Sequence, residues 1–311
     1  MEIACEDAKN SSMQATSMEL LSYVEPGSWL ILIVSIHGVL NNCILLCMAY
    51  CRKWHRCVHY TLIIHQAVVD LLTSLMMAIV SIYELAYRHS NTANIMNQID
   101  CMWLFIPPSV LLTYGQRSSL VVAIDRVINV LFPFRWVRLG IYYRLVMLTV
   151  GLAWVLIQEL GWLAFVRSDD VCVLVCYSYG SYPNVDGWSR LVTIGDTLAA
   201  VLIVAAYMTL PLLSGSIFSQ LTCQTHLFVA LDDMEHKQRQ IVQCVRRLSM
   251  LTVTSFLFTT FVGFLACDLT SDYVKNNQIE LLLQTIGDAL STMNTVLPLY
   301  LFLWREKTLR M

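Results

Sequence analysis

Arg126 follows Cys101 by twenty-five residues, and everything between them is compatible with a single helix. At 1.5 Å per residue such a helix is about 37 Å long, enough to cross a bilayer core of about 30 Å. The spacing therefore puts a cysteine at one membrane face and an acid-arginine pair, Asp125-Arg126, at the other. Disulfides form on the outward face. A charge pair at the inward end is a natural switch element.

Composition agrees with membrane burial. The chain has 311 residues, 57% hydrophobic and 14% charged. Soluble domains carry about 25% charged residues, so a water-soluble fold of this composition would expose large apolar patches. The net charge of −2 decides little. The first twenty-five residues lack the basic, apolar pattern of a cleavable signal. No internal repeat or low-complexity tract interrupts the chain, which predicts one integral domain.

Seven apolar stretches, each near spanning length, run over 28–51, 59–83, 101–125, 144–166, 189–219, 246–268 and 278–303. The third and fifth are the least uniformly apolar. The first, third and fifth gaps plus the tail hold fourteen Lys and Arg, Arg144 among them; the amino-terminal segment and the other gaps hold five. The positive-inside rule then places the amino terminus outside and the carboxyl terminus inside. The expected architecture is an all-α membrane protein, a seven-transmembrane-helix bundle. It comprises an extracellular tail over 1–27, the membrane domain over 28–304 and a short cytoplasmic tail over 305–311. No gap has room for a soluble catalytic module.

Several polar residues fall inside these spans. Asp70, in the middle of span two, costs a few kcal/mol unless it meets polar partners; Asn42 and Asn294 are the expected ones, with water or a sodium ion. Gly38 and Asn42 lie on one face of span one, suited to close helix approach and hydrogen bonding across the bundle. Asp125 can hold Arg126 in an intrahelical ion pair whose release frees the arginine for a partner. Pro133 ends that helix. Pro298 and Pro211 bend their spans, Tyr300 is placed to swing inward after Pro298, and Pro107-Pro108 should distort span three below Cys101. Trp154 reads equally as a packing anchor or a lipid-facing aromatic. Ordinary snorkelling, tolerated kinks and a protonated aspartate are the bland readings of the same residues.

Of eleven cysteines, Cys43, Cys47 and Cys244 read as free thiols. Cys5, Cys101, Cys172, Cys176 and Cys267 fall on the outer side, where Cys101 is expected to pair with Cys176 or else Cys172; the rest stay unassigned. Asn10-Ser11-Ser12 is a glycosylation sequon. Arg117 has no evident partner. It lies about 24 Å below Cys101, Glu159 only about 10 Å below the outer face, and Arg126 on the opposite helix face. Two echoes, Thr193-Ile194-Gly195-Asp196 and Thr285-Ile286-Gly287-Asp288, raise an intramembrane aspartyl protease. Each has Thr where that motif needs Gly, and Asp196 falls near the outer end of span five. No hydrolase, zinc or phosphate-loop motif appears, so no enzyme is expected.

These residues, in this order and these spans, resemble rhodopsin-like (class A) G protein-coupled receptors over about residues 30–310. Asn42, Asp70, Cys101, Asp125-Arg126, Pro133, Trp154 and Pro211 carry the likeness. The stretch from Ala123 through Pro133 and the ending Trp304-Arg305-Glu306-Lys307 are most similar to nematode serpentine chemoreceptors of the Srsx type. The resemblance implies a plasma-membrane chemosensory receptor that turns binding of an extracellular small molecule or peptide into activation of a heterotrimeric G protein. It assigns the switch to Asp125, Arg126 and Tyr300, and a possible sodium site to Asp70 with Asn42 and Asn294. Departures are Val127 in place of Tyr, no Trp-x-Pro across Phe258–Gly263, and Asn294-Thr295 where Asn-Pro is usual. The usual amine-gripping aspartate of span three is also missing. From depth and helix face, a ligand pocket is expected near Tyr114, Gln116, Tyr207, Phe261, Asp288 and Ser291. The rivals are a seven-span ligand-gated channel, which would have its amino terminus inside, and a transporter, which should show matching halves.

Overall fold

The computed structural model describes residues 2–4, 11–53, 61–89, 96–131, 133–164, 171–173 and 176, parts of 187–209, and residues 289, 292 and 296. Four long helices dominate: α1 Ser11–Cys51, α2 Thr61–His89, α3 Gln98–Leu131 and α4 Pro133–Leu163. Three of them carry segments long and apolar enough to cross a membrane, Glu25–Cys51, Thr61–Tyr87 and Gly140–Trp162. A shorter apolar helix runs over Ile194–Ile203. Helix α3 is long enough too, but Arg117 and its polar neighbours dilute its apolar character, as expected for span three.

The burial pattern is inverted relative to a water-soluble protein. Ile33, Val150 and Ile157 are 63%, 62% and 66% exposed, while Asp70, Arg117, Asp125, Arg144, Gln158 and Glu159 are buried. Such a surface is stable only against lipid, where apolar side chains face outward and polar ones find partners inside. Trp154 is half exposed on that surface, at 51%, while its ring also reaches Gly195, so it serves in part as a packing anchor.

Helix α1 packs on α2, α2 on α3, and α3 on α4. Between α2, α3 and α4 lie Leu62, Val121 and Leu148 at one level and Val69, Tyr114 and Val155 at another. Ala289 meets Ile31 of α1 and Met77 of α2, which brings the last apolar stretch against the first two helices. Asn41 of α1 reinforces that contact by donating to the Val296 carbonyl at 3.4 Å.

Helix boundaries follow local chemistry. Asn97 caps α3, its Oδ1 accepting from the Ile99 amide at 2.9 Å, and Asp100 adds an acid to the first turn. The cap sets the helix start three residues before Cys101. Helix α3 then continues through Pro107 and Pro108 without a break and stops at Leu131, two residues before Pro133. Helix α1 ends at Cys51, with Lys53 at φ 56° in the left-handed turn that commonly follows a helix.

Two expectations need correction. Helix α1 begins at Ser11 rather than at residue 28. Met13, Gln14, Ala15, Met18, Glu19, Leu20 and Leu21 are strong helix formers, so the helix extends past the apolar segment. Nor is the fold wholly α. Strands β1 Glu2–Ala4, β2 Met96–Asn97 and β3 Val171–Val173 make a small antiparallel sheet in the order β1-β3-β2. The register pairs Glu2 with Val173, Ile3 with Cys172 and Ala4 with Val171 on one side of β3. On the other it pairs Met96 with Val173 and Asn97 with Cys172. Since β2 leads straight into α3, the sheet sits over the Cys101 end of that helix.

Candidate functional site

The polar residues of α3 fall at four levels. At the capped end, Cys101 is bonded to Cys176 with Cα atoms 5.6 Å apart, one of the two pairings expected. The disulfide is packed among Val80, Phe105 and the half-buried Met96 and Leu104. It joins the segment after α4 to the start of α3.

About two to three turns further along, Ser109 and Thr113 donate to Glu159 of α4, at 3.0 Å to Oε2 and 3.4 Å to Oε1. Tyr114 packs between Val69 and Val155, and its hydroxyl lies 3.1 Å from His65 Nε2. On the α2 side, Gln66 binds α2 to α3. Its Nε2 donates to Asp70 Oδ1 at 2.8 Å and to the Gly115 carbonyl at 3.4 Å, and its Oε1 accepts from Ser118. Ser118 and Ser119 also donate to the Gly115 carbonyl. Asp70, expected beside Asn42, thus has Gln66 as its hydrogen-bond donor, while Asn42 donates to the Gly38 carbonyl at 2.9 Å. Gln66 precedes Asp70 by one helical turn, a spacing that puts both on one face.

At mid-depth the partner of Arg117 is Asp196. The two form an ion pair, supported by Arg117 Nη1 donating to the Gly195 carbonyl at 3.1 Å and Nη2 donating to Gln158 Oε1 at 3.4 Å. Gln158 Nε2 also reaches both Asp196 oxygens at 3.4 Å. Asp196 therefore lies deeper than its expected place near the outer end of span five. Trp188 packs with Met102, Ile106 and Trp162, and the ion pair with Arg117 brings the chain eight residues later to mid-depth. The Thr-Ile-Gly-Asp echo is a charge-pairing site here, with its aspartate already held by a guanidinium.

At the far end, Arg144 Nε donates to Asp125 Oδ1 at 2.9 Å, with both side chains almost fully buried. Arg144 Nη1 also donates to the Gly140 carbonyl at 3.2 Å. Gly140 adopts φ 62°, ψ −156°, a conformation reserved for glycine. It breaks α4 so that the following helix can direct Arg144 back at α3. Counting Arg144 as a loop charge missed this pair. Its spacing four residues after a glycine was the available signal. The backbone of Arg126 lies in α3, while its side chain falls outside the described residues. So do Tyr207, Phe261, Asp288, Ser291, Asn294, Tyr300 and the Asn10 sequon.

The arrangement is a membrane bundle whose third helix is bonded at one end and cross-linked by charge at mid-depth and at the other end. Residues 35–311 match the family model of the serpentine type 7TM GPCR chemoreceptor Srsx. The chain belongs to this family. It is a chemosensory G protein-coupled receptor, and its family is one of receptors rather than enzymes. A comparison with curated proteins returned no match. The Srsx match covers most of the chain, including all of α2, α3 and α4, so the ion pairs described above are features of the receptor domain itself.

Proposed function

We propose that this Srsx receptor crosses the plasma membrane seven times, with its amino terminus outside and its carboxyl terminus inside. It binds an extracellular small molecule or peptide and activates a heterotrimeric G protein through Arg126. The observation that carries this reading is α3 itself. It is one unbroken helix with a disulfide at one end and the Asp125–Arg144 pair, immediately beside Arg126, at the other. Asp125 is committed to α4, which ties the switch helix to its neighbour. Opening the inner ends of the helices exposes Arg126 to the G protein. Ligand can favour that state only through a difference in affinity between the closed and open forms.

The ligand cavity is assigned to the level between the disulfide and Arg117, with Tyr114, Tyr207, Phe261, Asp288 and Ser291 as its candidate lining. Tyr300 completes the inner switch. The Asp70 region is suited to a sodium ion held with Asn42 and Asn294. Asp70 Oδ2 is buried and accepts no hydrogen bond, which leaves a carboxylate oxygen available to a cation.

Two experiments test the reading. Antibody labelling of an epitope beside Asn10 should succeed on intact cells; labelling only after permeabilisation would support the inverted channel topology instead. A screen of odorants and peptides against the expressed receptor supplies an agonist. Arg126→Ala should then abolish agonist-driven nucleotide exchange at unchanged surface level and ligand binding. Full exchange in that variant would remove Arg126 from the switch.

A further inference from the structure

Cys172 is disulfide-bonded, yet Cys176 already belongs to Cys101 and the described Cys43, Cys47 and Cys51 are free thiols. The partner of Cys172 is therefore one of Cys5, Cys57, Cys223, Cys244 and Cys267. In the orientation proposed above, on which this inference rests, Cys57, Cys223 and Cys244 belong to the inner side. Cys5 and Cys267 remain.

The strand register separates them. Ile3 stands opposite Cys172, and Ala4 opposite Val171. The next residue in the chain is Cys5, and the same register continued by one step would set it opposite Asp170. Residues directly opposite share a face of the sheet, and residues two apart on one strand share a face. A continued register thus puts Cys5 and Cys172 on one face as diagonal neighbours, about 7–8 Å apart. A disulfide needs Cα atoms within about 7 Å. Cys5 is the first residue past the paired strand, so bonding requires only about 1 Å of departure from the continued register.

We propose that Cys5 and Cys172 form a second disulfide, making the amino-terminal strand a covalent part of a cap over the outer end of α3. The two thiols lose two protons and two electrons. A disulfide-bearing oxidase of the secretory pathway takes up the electrons by thiol–disulfide exchange. Four residues apart, Cys172 and Cys176 then pin one short segment to two places, the amino terminus and α3. The cap becomes a permanent constraint on the route by which ligand reaches the bundle mouth.

The test is disulfide mapping of the full-length receptor, alkylated before solubilisation and digested without reductant. Trypsin should release one cluster of three peptides, residues 1–9, 89–117 and 168–190. Further cleavage after Leu174 should divide it into a pair containing Cys5 with Cys172 and a pair containing Cys101 with Cys176. Recovery of the Cys101–Cys176 pair with Cys172 joined to Cys267, or alkylated, overturns the proposal and leaves the orientation standing. Alkylation of all four thiols without reductant overturns both. In Cys5→Ser the Cys172 thiol should become reactive, taking one equivalent of a membrane-impermeant maleimide on intact cells beyond whatever the unaltered receptor takes at Cys267. No gain in labelling overturns the pairing.

Discussion

Arg144 and Asp125 show how one residue's place in the bundle changes what it contributes. Each is a charge almost fully withdrawn from solvent, and each is the other's counterion. Removing one partner of such a buried pair costs about 3–5 kcal/mol. Arg144→Ala should therefore lower the thermal stability of purified receptor sharply, and Arg144→Ala with Asp125→Asn should recover much of the loss. A melting series in one detergent checks both. Gly140 is the second sensitive position. Alanine there finds nothing within 4 Å to clash with, so space is no obstacle, but its backbone conformation is strained for any other residue. Gly140→Ala should destabilise by about 1–3 kcal/mol, and a stability equal to the parent would show that α4 does not need this break.

Helices are held to one another by polar contacts that lipid makes decisive. In water, apolar faces would drive α3 against its neighbours. In a bilayer, packing and hydrogen bonds must do so. The Arg117–Asp196 pair joins α3 to the helical segment around Ile194–Ile203, and Gln158 brings in α4. A double-mutant cycle with Arg117→Gln and Asp196→Asn should give a favourable coupling of about 0.5–3 kcal/mol, the range for residues in one ion-pair network. Additive effects would show that the two charges act independently. On the other side of α3, Gln66→Leu removes the donor to Asp70 and the acceptor for Ser118 together. Stability should fall by about 1–3 kcal/mol for the buried groups left unsatisfied, measured by the same melting assay. An unchanged melting temperature would mean that Gln66 does not join α2 to α3.

For the whole receptor, the Cys101–Cys176 bond closes a loop of 75 residues between α3 and the segment after α4. Chain-entropy reasoning gives such a closure about 4 kcal/mol, an upper figure here because helices confined to a bilayer are never a free coil. Cys101→Ser with Cys176→Ser should lower surface expression and melting temperature together. Wild-type levels of both would assign the bond no structural role. The same bond and the sheet beside it lie at one end of α3, opposite the end where Asp125 meets Arg144.

The apolar run lengths and the Cys101-to-Arg126 spacing were enough to read a membrane bundle and its third helix, and the resemblance carried by Asp70, Asp125-Arg126, Pro133 and their neighbours gave its receptor family. All are one-dimensional properties. A helix crossing lipid must satisfy its own backbone, so length and composition alone constrain it. Cys176 was legible as one of two candidates because the charge distribution predicts an outer position for its loop. The partners of Arg117, Asp70 and Asp125 were not legible. Each is matched across a helix interface by a residue far off in sequence, or on a neighbouring turn read for another purpose. Depth counting along single helices excluded Glu159 for Arg117, but could not show that Asp196 descends to its level. That depends on how Trp188 seats against Met102, Ile106 and Trp162. Spans are dictated by each segment's own solvation in lipid, whereas pairings depend on the relative rotation and depth of packed helices, which only the assembled bundle sets.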